Sequence, residues 1–485
     1  MIAASTSAAE ERFELWRKRT GLILAPLAGI SLWAAPLPLA TNAHILAAVF
    51  AFTIILWMTE AVPMAVASLL GPSLLVVFGV GPMTTVFLPF ADKIIFLFLG
   101  SFLLAEAMQK HGLDRRIALT LMSLPGVATS PGRMMATLGL LTAGLSMWMS
   151  NTAITAVMLP ILLGVLRGHP ALAGQRHLGS SLVLMVAFAA SIGGLATPVG
   201  TPTNLVALGQ LEKFGIPRPS FAQWMALGVP LSLALILALF LILRPREGGS
   251  MGVLGAEFRS QRARLPRITR GEINTAIVFT LAIACWLAPG VLDAFFGGAP
   301  PWMKARMPEE IIGLAAGLLL FILPVSPEKG GFTLEWRDAS RVEWGTLLLF
   351  GGGFALGQQI KDTGLSDAIG HGVIAFLGQP GEGVLIAVAI IVSVLLSEAT
   401  SNVASATVMV PLMIGVAQNA GADPTRVAIA TCLACSLGFM LPISTPPNAL
   451  AYGTGLVRIT EMIKYGLLLD IIGAIAVWCI VRWML

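Results

Sequence analysis

Charge is what this chain of 485 residues has least of. Asp, Glu, Lys and Arg make up 11% of it against 56% hydrophobic residues, where a soluble globular domain carries about 25% charged residues. With a mean hydropathy of +0.86, the shortage excludes an ordinary soluble domain. It reads as a polytopic membrane protein whose first partner is the lipid bilayer. No basic stripe with interleaved aromatics occurs, so nucleic acid is excluded as a partner. No GxxxxGK[ST] loop appears, so ATP does not drive the protein directly. The five histidines, His44, His111, His169, His177 and His371, form no HExxH motif or close ligand pair. No nucleophile elbow stands out either, and the chain is read as not an enzyme. The four cysteines, Cys285, Cys432, Cys435 and Cys479, all lie in apolar segments. Cys432-Leu-Ala-Cys435 has redox spacing, yet it sits in the helical run VAIATCLACSLGFML and reads as packed thiols.

What is present is a series of apolar runs of about 20 residues, the length that spans a bilayer. They fall near 21–40, 45–59, 62–81, 93–110, 182–210 and 223–243, then near 273–292, 309–324, 344–361, 426–455 and 463–482. A polar, Arg-rich loop, 244–272, separates the two sets. The stretches 133–166 and 383–418 are interrupted at mid-length and read as re-entrant hairpins. The fold class is therefore all-α, with about eleven transmembrane helices and two hairpins. The charged first twenty residues could open a signal peptide, but an uncleaved first span fits the later apolar runs better.

Orientation follows Lys and Arg. Arg12, Arg17, Lys18 and Arg19 put the N-terminus in the cytoplasm, and six crossings later the loop 244–272 returns there. Lys110, Arg115, Arg116, Arg133, Arg167 and Arg176 fall inside by the same count, while the outside segment 361–382 is acidic. The expected location is a bacterial inner membrane.

Each interrupted stretch carries a polar island: Ser150-Asn151-Thr152 in GLSMWMSNTAITAVMLP and Ser401-Asn402-Val403 in LLSEATSNVASATVMVP. Hydroxyls and amides in hydrocarbon are costly unless bound to something, and Ser, Asn and Thr start helices. Each island therefore reads as a backbone break with a helix beginning just after it. The islands lie 251 residues apart; FLGSFLLAEAMQKHGL (98–113) matches FGGGFALGQQIKDTGL (350–365) at 252, and GTPTN (200–204) matches STPPN (444–448) at 244. Five spans per repeat, an odd number, turn the second copy upside down. Inverted repeats with the site between them are typical of secondary transporters.

Proline breaks the helices at Gly200-Thr-Pro-Thr-Asn204 and Ser444-Thr-Pro-Pro-Asn448. Unwound backbone frees carbonyl oxygens, which with Ser, Thr and Asn oxygens suit a hard monovalent cation such as Na+. Helix N-termini after Asn151 and Asn402 offer N–H groups and partial positive charge to an anion. No Lys or Arg lies within the motifs, so bound cations would offset the anion's charge. Glu60 and Glu398 each flank a break, and bracing of local backbone is favoured over proton relay. Glu106 reads as interfacial.

These paired islands and breaks, with WMTEAVPMAVASLL (57–70) and FLFLGSFLLAEAMQKHGLDRRIAL (96–119), resemble the divalent anion:sodium symporter family from about residue 20 onward. The resemblance implies a homodimer in which a scaffold holds the interface and a transport domain moves as an elevator. It implies a sodium site at Ser146, Ser150, Asn151 and Gly200, and a second at Ser397, Thr400, Asn402 and Ser444. It implies substrate contacts from Asn151, Thr152, Asn402, Val403, Thr445 and Pro446. Val403 stands where many bacterial members have Thr, which removes one possible hydrogen bond. Ser397 replaces a frequent Thr and keeps the oxygen, and Ser444 replaces a small apolar residue whose carbonyl is the expected ligand.

The expected division is a cytoplasmic segment 1–20, scaffold helices 21–92, transport elements 93–243 (tip 150–152, break 198–204), loop 244–272, scaffold helices 273–343, and transport elements 344–485 (tip 401–403, break 442–448). The expected function is Na+-coupled uptake of C4-dicarboxylates such as succinate, malate or fumarate. Sodium-independent di- or tricarboxylate exchange and sulfate transport are the alternatives.

Overall fold

Several helices begin where the sequence supplies a capping oxygen. Asp92 accepts the Ile94 N–H at 3.0 Å and opens the helix Lys93–His111. Ser130 caps Pro131–Ser146 through the Arg133 N–H. Ser220 with Gln223 and Thr269 with Glu272 form capping boxes at the starts of Phe221–Leu243 and Arg270–Phe295. Glycines in the left-handed region, Gly112 (φ 70°) and Gly364 (φ 76°), turn the chain out of the matching helices Lys93–His111 and Trp344–Asp362.

The structure, a computed structural model, describes residues 8–167, 176–244, 252–326, 330–378 and 380–484. Among these the fold is nearly all helix, with 23 helices making up 78% of it. One small ribbon pairs Pro324–Ser326 with Gly331–Phe332. Of the expected cytoplasmic segments, 1–7 and 245–251 lie outside the described residues, as does 168–175 with His169. The side chains of Arg167 and Arg176, used above for topology, are outside them too. Much of the rest of the loop 244–272 is the helix Gly252–Ala263.

Seven described helices are long and apolar enough to cross a bilayer by themselves: Thr41–Thr59, Lys93–His111, His177–Gly194, Phe221–Leu243, Arg270–Phe295, Glu382–Ala399 and Ile459–Met484. The run 309–324 differs from expectation, forming only the 11-residue helix Glu309–Leu319. At about 1.5 Å per residue this helix is too short for a hydrocarbon core of about 30 Å. It packs on Lys93–His111 through glycine: a Cβ on Gly100 would lie 2.2 Å from the Gly313 carbonyl carbon. Small residues permit such backbone contact between membrane helices.

The expected breaks are present but begin earlier. Helix Arg176–Gly194 ends before an irregular stretch 195–201, after which Pro202–Lys213 starts. Pro424–Cys435 ends before 436–445, after which Pro446–Gly453 starts. The early stop puts more backbone out of helix than the proline positions alone indicate. The two interrupted stretches form the helix pairs Pro131–Ser146 with Asn151–Arg167 and Glu382–Ala399 with Asn402–Asn419. Both second helices carry an internal proline, Pro160 and Pro411, at the same repeat position.

The core runs along Arg176–Gly194, where every residue from Leu182 to Ala190 is fully buried. A helix apolar on all sides belongs in the interior. Outer helices show the reverse: Leu233, Leu237 and Leu241 are exposed at one-turn spacing, as are Ile273, Ile277 and Leu281, and Leu467, Ile471 and Ile475. Contiguous exposed apolar faces of this extent suit lipid, and the chain is a multi-pass membrane protein.

Candidate functional site

The two helix pairs and the two breaks meet around one cavity of about 480 Å³. Its wall includes both islands, Ser150-Asn151-Thr152 and Ser401-Asn402-Val403, and both breaks, through Thr201-Pro202 and Ser444-Thr445-Pro446. All six residues expected to meet substrate therefore share it. Four helices have their first residues in this wall: those starting at Asn151, Pro202, Asn402 and Pro446. The sequence pattern gave two of these N-termini. The other two follow from the breaks, since a helix restarting after each break again turns the positive end of its dipole to the cavity. At the second break, however, Pro446 and Pro447 carry no N–H and the Asn448 N–H is taken by Thr445 Oγ1 at 3.3 Å.

Beneath the wall lie two oxygen clusters. Ser146 Oγ is 2.8 Å from Asn151 Oδ1 and 2.7 Å from the Ala190 carbonyl oxygen. Ser397 Oγ is 2.8 Å from Asn402 Oδ1 and also reaches the Cys435 carbonyl. Each cluster holds three oxygens and one hydroxyl proton, so lone pairs outnumber donors. Such an acceptor-rich pocket, free of nitrogen and sulfur ligands, suits a hard cation. Among the described residues no group of three His, Cys, Asp or Glu is placed to hold a metal ion. Ser146 and Ser397 are fully buried.

Glycine keeps both clusters open. A Cβ on Gly194 would sit 2.6 Å from Asn151 Oδ1, and one on Gly438 would sit 3.1 Å from Asn402 Oδ1. A Cβ on Gly200 would fall 2.7 Å from the Gly194 carbonyl oxygen and 2.9 Å from that of Met147.

Buried amides brace both breaks in the same way. Asn204 Nδ2 donates to the Gly194 and Thr197 carbonyls at 2.9 and 2.8 Å. Asn448 Nδ2 donates to those of Gly438 and Leu441, both at 3.0 Å. A hydrogen bond of 2.7 Å between the Thr203 and Ser436 hydroxyls ties one break to the other.

The hydroxyls of Thr400 and Ser444 have partners of their own. Thr400 Oγ1 donates to the Leu396 carbonyl at 2.9 Å and meets Ser405 Oγ at 2.6 Å. Ser444 Oγ donates to Glu398 Oε2 at 2.5 Å, which leaves its backbone carbonyl as the group still available. Ser150 lines the cavity.

Glu398 has the bracing role read from the sequence. Its carboxylate also accepts the Met440 and Leu441 N–H groups at 2.7 and 3.2 Å. Glu60 instead pairs with Arg17 at 2.9 Å, a partner 43 residues away that sequence gave no reason to choose. The cysteines are free, and Cys432 Sγ donates to the Thr203 carbonyl at 3.3 Å.

Asp470 escaped the sequence reading although it lies within the apolar run 463–482. It is 3% exposed and faces the Glu398 carboxyl and the Phe439 backbone. An ionisable residue at membrane depth was the available signal.

A cavity ringed by helix N-termini, above two acceptor-rich clusters in a lipid-facing helical protein, defines a membrane transporter. The sodium:sulfate symporter transmembrane region family matches residues 14–485, and the chain belongs to the divalent anion:sodium symporter family. It is 31% identical over 440 residues to the sodium-dependent dicarboxylate transporter SdcS of Staphylococcus saprophyticus, covering 88% of this chain and 83% of that one. It is 32% identical over 447 residues to SdcS of Staphylococcus aureus strain USA300, with the same coverage. An uncharacterized transporter of Haemophilus influenzae is 33% identical over 454 residues, covering 91% and 92%. In fold the chain is similar to the Alcanivorax borkumensis YdaH transporter (TM-score 0.56, 15% identity, 97% of both chains). The Neisseria gonorrhoeae protein MtrF also shares the fold (TM-score 0.56, 16% identity, 82% and 83%).

Proposed function

We propose that this protein couples Na+ to the uptake of C4-dicarboxylates such as succinate, malate or fumarate across the inner membrane. The observation that carries the reading is the convergence of four helix N-termini on one cavity whose motif residues include no Lys or Arg. Amides and partial positive charge suit carboxylates, while a dianion that meets no Lys or Arg among the motif residues needs cations nearby. The clusters around Ser146–Asn151 and Ser397–Asn402 would hold Na+, with Ser150, Gly200, Thr400 and Ser444 contributing oxygen. Asn151, Thr152, Asn402, Val403, Thr445 and Pro446 would meet substrate. The relatives named as sodium-dependent dicarboxylate transporters support this choice over sulfate.

We further propose the division given above: scaffold helices over 21–92 and 273–343, transport elements over 93–243 and 344–485, and an elevator motion within a homodimer. The tie between Thr203 and Ser436 supports moving both breaks as one body.

The test is labelled succinate uptake into proteoliposomes with an inward Na+ gradient, with K+ instead, and with unlabelled succinate preloaded. Accumulation that requires Na+ is expected. Uptake that ignores Na+ but needs internal succinate would make the protein an exchanger, and no uptake under any condition would favour sulfate or citrate.

A further inference from the structure

Glu14, Arg17, Glu60 and Glu343 line the same cavity as the two islands. Glu14 belongs to the N-terminal part of the helix Ala8–Ala34, and Glu60 and Glu343 flank the adjacent helix ends. These residues place the cavity's rim on the membrane side that carries the N-terminal segment. Among the described residues Arg17 is the one basic side chain in the wall, against three acids. A dianion crossing such a rim meets repulsion from every charged group except Arg17.

The Arg17 guanidinium is only partly satisfied. Among the described residues Nη2 contacts Glu60 Oε2 at 2.9 Å, while Nε is buried with no acceptor. Arginine prefers to bind a carboxylate with two parallel N–H groups, and Glu60 does not supply that geometry. Glu60 is also the one described non-glycine residue with positive φ (47°). Backbone strain of this kind gathers at clamps and switches.

We propose that Arg17 is a substrate-binding and selectivity residue at the cavity rim, and that Glu60 occupies it as a competitor when substrate is absent. An incoming dicarboxylate exchanges with the Glu60 carboxylate for the guanidinium, and a departing one gives Arg17 back to Glu60. The rim thereby selects anions without placing a fixed cation beside the oxygen clusters. This inference rests on the dicarboxylate reading.

The bland alternative is a tie that pins the first helix to the turn after the second. The two ideas differ in sign. A tie is broken equally by Arg17→Gln and Glu60→Gln, so both would shift succinate binding in one direction. Competition predicts opposite shifts. The measurement is succinate Kd in saturating Na+ for the purified, full-length protein. Loss of a charge-assisted contact should raise Kd about tenfold in R17Q. Removal of the competitor should lower it several-fold in E60Q, and R17K should fall between R17Q and the wild type. Equal Kd values for wild type, R17Q and E60Q, or shifts of one sign, overturn the proposal while leaving the transport reading intact. A wild-type protein that binds no succinate in Na+ overturns both. Should R17Q not fold, E60Q decides alone: an unchanged or raised Kd sinks the proposal.

Discussion

Ser397 sits 2.8 Å from Asn402 Oδ1, and Ser146 sits 2.8 Å from Asn151 Oδ1 in the other repeat. The two contacts share the same five-residue spacing, and each brings in a carbonyl from the helix that ends at the adjoining break. A contact duplicated at equal distance in two copies of one design marks the part on which both copies depend. Each Asn joins its cluster through Oδ1 and lines the cavity as well.

Replacing either amide should therefore cost both functions together. Asn151→Ala and Asn402→Ala are each expected to abolish Na+-driven succinate uptake in proteoliposomes. Wild-type-like uptake by either purified variant would remove that residue from the shared position.

Much of this site was legible because its chemistry is out of place in hydrocarbon. Ser, Asn, Thr and Pro stand out in an apolar run, and their recurrence at 251 and 244 residues points to paired breaks. The supporting contacts were not legible. Arg17 carried a topology signal, and nothing local linked it to Glu60. Asn204 and Asn448 were seen as members of the proline motifs, but which carbonyls they hold depends on where the preceding helix stops. That stop comes several residues ahead of the proline, at Gly194 and at Cys435. The helix Glu309–Leu319 is shorter than its apolar run because the chain turns at 320–323 into the strand Pro324–Ser326, and hydropathy does not register that turn.

Val403 tests how the island tips choose among anions. It lines the cavity in the second island where Thr152 lies in the first. Val403→Thr adds a hydroxyl at similar volume, and a hydroxyl that reaches a carboxylate contributes about 0.5–1.5 kcal/mol or more. Transport should survive while succinate KM, or the ratio of succinate to citrate uptake, shifts several-fold. Identical kinetics for succinate, citrate and sulfate would take Val403 out of the site.

Asn448 should matter for the cation as much as for stability. It is fully buried, and its amide group holds two carbonyls of the second break. Asn448→Asp keeps the shape but removes both donors, leaving buried carbonyls that cost about 1–3 kcal/mol each. The midpoint of thermal unfolding should fall. More tellingly, the rise in that midpoint on exchanging K+ for Na+ should shrink, since a ligand stabilises only the state it binds. A variant with a lower midpoint and an undiminished Na+ response would make Asn448 a structural brace alone.

Away from the site, Lys110 Nζ reaches Asp338 Oδ2 at 2.6 Å and ties the end of Lys93–His111 to the short helix Trp336–Ala339. Burial by itself would raise the Asp338 carboxyl. The Lys110 hydrogen bond, the Glu335 N–H and the charges of Lys110 and Arg341 outweigh burial and hold it below the ordinary carboxylate value. A carboxyl depressed in the folded state adds stability above its unfolded value, near 4, and loses it as pH falls through the folded value. Asp338→Asn should therefore lower the thermal midpoint at pH 7, and the gap to wild type should narrow as pH falls below about 4. Lys110→Met should behave likewise, because Asp338 then keeps its burial without its principal partner. A gap that stays constant from pH 7 down to the acid limit would show that the loss is one of packing, with the ion pair contributing nothing.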